Sequence, residues 1–180
     1  MRPTSLIVAC GFGTMITSGG CPLLEVQVET KEVCLQYQGV EVPASDGSGG
    51  AHVEFVFEDF ASLQGLAQLD GDVKFVRADL HATSGVTDFG FLTSARGTVG
   101  SDDPAAGLPT QTVVDCSGEG CVRDGATLSV DAVADVDALA YLRSNSIAIT
   151  LDVQGTLPTT PWTMDVSVCV SGTVKYTQQL

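Results

Sequence analysis

Four cysteines in the body of the chain have spacings that suit disulfide bonds: Cys34, Cys116, Cys121 and Cys169. Cys116 and Cys121 flank the flexible sequence Ser-Gly-Glu-Gly, which lets their two sulfurs meet. Cys34 falls in an early predicted strand and Cys169 in a late one, so a bond between them would join the two ends of the domain. Three pairings are open, and we favour Cys116–Cys121 with Cys34–Cys169. A four-cysteine zinc site would need two close pairs, which this spacing does not provide.

The first 21 residues have the layout of a secretory signal followed by a cysteine. Arg2 is the one cation, an apolar stretch runs from 6 to 16, and the small residues Ser18, Gly19 and Gly20 precede Cys21. This arrangement resembles the lipobox of bacterial lipoproteins, although Ser18 stands where that family prefers Leu. The resemblance implies that residues 1–20 are a signal peptide and that the thiol of Cys21 is acylated.

The number of cysteines supports lipidation at Cys21. Removal of residues 1–20 leaves five cysteines, and an odd number would leave one thiol unpaired in an exported protein. Acylation of Cys21 leaves four, enough for two disulfides in an oxidising compartment. Plain secretion and a retained N-terminus are the alternatives.

The residue after the cysteine bears on location. By the sorting habits of the lipoprotein family, Pro22 gives no inner-membrane retention signal, because Asp is the usual one. The resemblance therefore implies a lipid-anchored protein at the outer membrane or cell surface, with a secreted or periplasmic location as the alternative.

Acidic pairs are the candidates for binding a metal ion. Calcium takes several oxygen ligands from carboxylates and carbonyls, and Asp70 and Asp72 are the strongest candidates on that basis. Neither residue lies in an EF-hand loop or a glycine-aspartate calcium repeat, and Asp beside Gly is also typical of a tight turn. Calcium is therefore a secondary expectation, and we expect no other cofactor.

Residues that could catalyse a reaction are sparse. Ser48 lies in a glycine-rich loop, and the two histidines of the chain, His52 and His81, show no spacing typical of a metal site or a catalytic triad. We therefore expect a protein that is not an enzyme. Trp162 follows a Thr-Thr-Pro turn, where it could contact a sugar or a protein partner, or fold back over the edge of the core.

The charge of the chain excludes some partners. Its 22 acidic residues outnumber 8 basic ones, for a net charge of −14, and loss of Arg2 with the signal would leave 7 bases and a charge of −15. Nucleic-acid binding relies on clustered Lys and Arg, so this composition argues against it. It also disfavours docking onto anionic lipid headgroups through a basic patch.

Alternating apolar and polar residues predict strands along most of residues 21–180, which have the length of one domain. The clearest alternation places Ile147, Ile149, Leu151 and Val153 on one face; another places Val76, Ala78, Leu80 and Ala82 together. Short helical turns are predicted at 60–69 and at 135–142, the second capped by Asp135. This pattern predicts an all-β fold, an antiparallel β-sandwich of about eight or nine strands with one or two short helical turns.

Residues 63–99 and 139–174 have a weakly similar pattern, which we call the internal echo. In each segment a helical turn precedes a predicted hairpin that ends in Gly-Thr-Val, at 97–99 and at 172–174. A pseudo-duplicated sandwich, with each copy feeding one sheet, is one interpretation of this echo, and chance similarity is the other.

These observations favour a non-catalytic cell-envelope lipoprotein. We expect it to be tethered to the membrane by its lipid and to act as a structural module or as an interaction module for a protein or glycan partner. A carrier that holds a small apolar ligand between its sheets is one alternative, and a calcium-assisted adhesin is another.

Overall fold

The structure, a computed structural model, describes residues 23–45, 49–57, 70–133, 135–144 and 147–179. Nine strands lie within these ranges: β1 (Leu23–Val42), β2 (Gly50–Phe57), β3 (Asp70–Ser84), β4 (Leu92–Gly100), β5 (Gln111–Ser117), β6 (Val122–Asp124), β7 (Thr127–Asp131), β8 (Ile147–Gly155) and β9 (Trp162–Gln179). Helix α1 (Ala138–Arg143) precedes β8, and 3₁₀ turns occupy Pro104–Ala106 and Gly118–Gly120. In the described part of the chain, no helix is long and apolar enough to cross a membrane.

The strands form two antiparallel sheets, which confirms the predicted β-sandwich. The five-stranded sheet has the order β1-β9-β3-β7-β6, and the four-stranded sheet has the order β2-β8-β4-β5. Strands β1 to β4 alternate between the sheets, and β8 and β9 then return to lie between earlier strands. This order is that of a double-sheet jelly roll, with the β6–β7 hairpin in the place of one strand.

The core lies between the inner faces of the two sheets, where apolar side chains from every second position meet. In β8 the predicted face of Ile147, Ile149, Leu151 and Val153 is buried, and each of these residues is at most 5% exposed. The residues between them face outward, as period-two alternation requires.

A β-bulge changes the inward face of β3. Val73 and Phe75 are buried before the bulge between Phe75 and Arg77, and Ala78 is buried after it. The prediction that Val76 shares a face with Ala78 is therefore wrong, because the extra residue shifts the alternation by one position. Val76 is only half-buried.

The helix predicted at 135–142 is present, but its cap is different. Asp137 accepts a hydrogen bond from the backbone N–H of Leu139 at 2.9 Å, so Asp137 is the N-cap of α1. Asp135 instead forms an ion pair with Lys74, with 3.1 Å between its Oδ2 and the lysine Nζ. The helical turn predicted at 60–69 lies outside the described residues.

The predicted hairpins of the internal echo are wrong. β3 lies in the five-stranded sheet and β4 in the four-stranded sheet, and β8 and β9 are divided in the same way. Each segment therefore contributes one strand to each sheet instead of two strands to the same sheet. The two segments lie side by side, since β3 pairs with β9 and β4 pairs with β8.

Both predicted disulfides are present. Cys34 and Cys169 are directly opposite in the register of β1 and β9, and their sulfurs are bonded. Cys116 and Cys121 are bonded across the 3₁₀ turn Gly118–Gly120. The first bond ties an edge strand to a central strand, and the second closes a turn of the sandwich.

Candidate functional site

The predicted calcium ligands lie in a strand and not in a turn. Asp70 and Asp72 are exposed residues at the start of β3, two positions apart and so on the same face. An oxygen of Asp70 lies 3.7 Å from Nη2 of Arg143, and one of Asp72 lies 3.9 Å from Nζ of Lys74. These carboxylates already have cationic neighbours, and calcium binding by them stays a prediction.

Lys74 forms ion pairs with two acids at this edge, Asp72 and Asp135. Its pKa is raised by the side-chain hydrogen bond from its ammonium to Asp135, by the charge of Asp135 and by the charge of Asp72. The ammonium thus stays charged over a wider pH range than a free lysine. It offsets part of the negative charge that the acids concentrate here.

Trp162 lies in the core, so the prediction that it could contact a partner is wrong. The residue is 1% exposed, and its ring packs edge-on against the rings of Phe89 and Phe91 at centroid distances of 5.9 and 5.6 Å. Gly85 allows this burial, because a Cβ there would lie 2.7 Å from the Cβ of Trp162. The other interpretation, in which the ring folds back over the core, is confirmed.

The structure places a carboxylate beside His52, which sequence reasoning did not foresee. His52 on β2 and Asp152 on β8 are opposite in register, and His52 Nδ1 lies 2.7 Å from Asp152 Oδ1. An oriented imidazole of this kind is one half of a hydrolytic site. Both side chains are about half exposed or more, and Ser48 lies outside the described residues. The pair alone does not make a catalytic centre.

A groove lies on the outer face of the five-stranded sheet. We call it the sheet groove; its volume is about 220 Å³, and its lining residues are Gln36, Gln38, Asp79, His81, Asp165, Val166 and Ser167. Strand alternation places these residues together: β1 contributes two amides, β3 a carboxylate and an imidazole, and β9 a carboxylate and a hydroxyl. The inward neighbours on these strands fill the core.

The register of the three strands sets the order of the groups. Ser167 on β9 lies opposite Gln36 on one side and Asp79 on the other. One row further along the sheet, Asp165 lies opposite His81. Asp79 and Asp165 are therefore diagonal neighbours, a relation that places residues about 7–8 Å apart in antiparallel sheets.

Each carboxylate of the sheet groove has one oxygen engaged. The backbone N–H of Gly39 donates to Oδ1 of Asp165 at 2.9 Å. Nε of Arg77 lies 3.1 Å from Oδ2 of Asp79. The other oxygen of Asp79, Oδ1, is buried and has no hydrogen-bond partner. Nε of Arg77 is likewise buried without a hydrogen bond, so the two groups form a close ion pair in which the N–H does not point at the carboxylate.

The remaining groups of the groove donate and accept. His81 Nδ1 lies 3.2 Å from Oγ1 of Thr127, which leaves Nε2 directed away from that bond. The amides of Gln36 and Gln38 are exposed, and each carries both donors and an acceptor. The groove thus presents a mixed set of hydrogen-bonding groups in a field of negative charge.

One cluster in the described residues has ligand atoms close enough to hold a metal ion, and it lies beside the sheet groove. It consists of Glu32, Cys34 and Cys169, whose ligand atoms lie within 4.8 Å of one another. The two sulfurs are bonded to each other, so neither is a thiolate that could coordinate a metal. Glu32 instead pairs with Arg77, with 2.6 Å between Oε1 and Nη2.

No protein-family model matches this chain, and no curated protein matches it. Among solved structures, the three-dimensional structure of Cocksfoot mottle virus is similar, with a TM-score of 0.33 and 9% identity. The alignment covers 99% of this chain and 97% of that chain. A likeness of this degree carries no functional information.

Proposed function

We propose that the protein is a non-catalytic lipoprotein of the bacterial envelope, tethered through acylated Cys21 and acting as an interaction module. The sheet groove is the contact site for its partner. The observation that carries this proposal is the groove itself, a depression of about 220 Å³ on the outer face of the sandwich that side chains from three strands line.

The lipoprotein part of the proposal has separate support. The signal-like residues 1–20 end directly before Cys21, and the other four cysteines outside that segment form two disulfides. Cys21 is thereby the one cysteine after residue 20 that is left for acylation. Disulfides are typical of proteins outside the cytoplasm. The proposed location is the outer membrane or the cell surface.

The filled core of the sandwich favours an interaction module over the carrier. A carrier of an apolar ligand needs an enclosed and mainly apolar cavity. Apolar side chains of both sheets pack together in the space where such a ligand would lie. The sheet groove lies on the outside of the sandwich, so a partner would bind there and not between the sheets.

Mass spectrometry of the mature N-terminus, with membrane fractionation, tests the tether. We expect a diacyl or triacyl modification on Cys21 and a protein in the membrane fraction. A Cys21→Ser variant should lose both the lipid mass and the membrane association. The matched control is Cys10→Ser, which removes a cysteine inside the signal and should change neither. An unmodified N-terminus at another residue would contradict the proposal.

A further inference from the structure

We propose that the Cys34–Cys169 disulfide is a directed site of thiol–disulfide exchange, in which an incoming thiol attaches to Cys34 and Cys169 leaves as a thiolate beside Arg77. Glu32 makes this site discriminate against thiols that carry a further negative charge. The proposal concerns a different part of the molecule from the contact surface of the sheet groove and does not depend on it. It rests on the unequal exposure of the two cysteines and on the charges around them.

The two cysteines of this disulfide are unequally accessible. Cys34 is exposed, whereas Cys169 is 0% exposed. Cys169 lies on the outer face of β9, because its neighbours Val168 and Val170 point into the core and Cys169 does not belong to the core cluster. Side chains on the outer face therefore bury it. Attack of a thiolate at Cys34 is the open route.

The side chain of Arg77 passes over Cys169. Arg77 is opposite Cys169 in the register of β3 and β9. Its Nη2 lies 2.6 Å from Oε1 of Glu32, which is a residue of β1, and β9 lies between β1 and β3. The guanidinium must therefore cross β9 on the outer face to reach Glu32. This arrangement shields Cys169 from a thiolate and places a cation beside its sulfur.

The exchange step follows from this arrangement. A thiolate attacks Sγ of Cys34, a new S–S bond forms between the incoming sulfur and that Sγ, and the bond between the two cysteines breaks. The electron pair of the broken bond leaves with Sγ of Cys169, and the guanidinium beside it stabilises the negative charge. A second thiolate can then attack the sulfur of the first and release Cys34. Two thiols are thereby oxidised to one disulfide while the two cysteines are reduced.

Glu32 places a negative charge next to the attacked sulfur. Its Oε1 lies 3.7 Å from Sγ of Cys34, and the ligand atoms of Glu32 and both cysteines lie within 4.8 Å of one another. Arg77 offsets this charge only in part, because its Nε also lies 3.1 Å from Oδ2 of Asp79. A thiolate with a second negative charge is repelled here more strongly than one that carries an ammonium group. The site therefore prefers thiols with a cationic group.

Mapping of the exchange products tests the direction of attack. The purified full chain is treated with excess cysteamine, the reaction is stopped at partial conversion with N-ethylmaleimide, and mass spectrometry of peptides locates both groups. We expect the cysteamine adduct on Cys34 and the maleimide label on Cys169. Equal amounts of adduct on the two cysteines would overturn the directed exchange. Arg77→Gln removes the cover and should give adducts on both cysteines; an adduct confined to Cys34 in this variant would contradict the role of Arg77.

Rates of exchange test the selectivity among thiols. The reagents are cysteamine and mercaptoethanesulfonate, and each rate is expressed per thiolate. Glu32→Gln should raise the rate with the sulfonate about fivefold, the effect of one unit charge about 4 Å away in water, and the rate with cysteamine by less. Glu41→Gln is the matched control, because it removes an exposed carboxylate from the same strand and should leave both rates unchanged.

Two results would contradict the role of Glu32: an unchanged ratio of the two rates in Glu32→Gln, or equal acceleration by Glu32→Gln and Glu41→Gln. Thermal melts show whether each variant is folded. The product map of the unaltered chain decides the direction of attack even if a variant does not fold. The outcome is also separable from the test of the tether, since neither measurement depends on acylation of Cys21.

Discussion

Arg123 joins two turns at one end of the sandwich, and its removal should destabilise the fold. Its guanidinium donates to four backbone carbonyls: Leu92 at 2.7 Å, Cys121 at 3.0 Å, Phe89 at 3.2 Å and Gly118 at 3.3 Å. The first three hydrogen bonds are partly buried, so water could only partly take the place of the guanidinium if the side chain were removed. Arg123→Ala therefore leaves carbonyls on both turns without their donor.

The expected loss follows from the number and burial of these bonds. A hydrogen bond from a charged donor contributes roughly 1.5–3 kcal/mol when it is sheltered, and less where water competes. We expect Arg123→Ala to lower the free energy of unfolding by about 3 kcal/mol, the value for two such bonds after discounting for solvent. For a domain of this size, that corresponds to a fall in melting temperature of about 6–12 °C.

Urea denaturation followed by circular dichroism measures this loss, and two further variants sharpen it. Arg123→Lys keeps one cationic donor but not the fork of the guanidinium, so it should recover only part of the stability. Arg96→Ala is the control, because the guanidinium of Arg96 contacts only the hydroxyl of Thr112 in the hydrogen bonds of the described residues and is exposed. An Arg123→Ala variant as stable as Arg96→Ala, within about 0.5 kcal/mol, would refute this account of the turns.

Three further outcomes are expected. Replacing both Cys34 and Cys169 by Ser should lower the free energy of unfolding by roughly 5 kcal/mol, because this disulfide closes a loop across 135 positions. Replacing Cys116 and Cys121, which are five positions apart, should lower it by roughly 2 kcal/mol. Equal losses in equilibrium unfolding would contradict the loop-entropy explanation. Gly85→Ala should lower the free energy of unfolding by at least about 2 kcal/mol, since φ is +79° and the new methyl group would meet Trp162. Gly107→Ala has open space around it and should lower the free energy of unfolding by only about 1 kcal/mol. Thermal melts in which Gly107→Ala is the less stable variant would contradict the close packing at Gly85. Tryptophan emission of the folded protein should be blue-shifted and resist acrylamide quenching, because Trp162 is buried and is the one tryptophan of the chain; ready quenching would indicate an exposed ring.

Local patterns predicted much of the fold. The alternation in β8 and the flexible loop between Cys116 and Cys121 are properties of short segments, and both predictions are confirmed. The bulge after Phe75 was not predicted, because it depends on how β3 pairs with β9. The choice of Asp137 as the helix cap was missed for a similar reason, since Lys74 binds the competing Asp135.

The candidate site depends on long-range strand order, which no local pattern reveals. Each strand showed which of its residues face outward, but not which strands are neighbours. Gln36, Asp165 and His81 come from three separate regions of the chain, and the order β1-β9-β3 brings them together. The pairing of His52 with Asp152 has the same origin, because β2 and β8 are adjacent only in the folded sheet.

The disulfide between β1 and β9 has a mechanical consequence. β1 is an edge strand, and its first residue, Leu23, pairs with Gln179 near the far end of β9. A force applied at the N-terminal end of β1 would break the backbone hydrogen bonds between β1 and β9 one pair at a time, starting at Leu23. The covalent bond between Cys34 and Cys169 would stop that opening and transfer the tension to β9, which is hydrogen-bonded on both sides. The sandwich would then resist the pull as a whole instead of losing its edge strand.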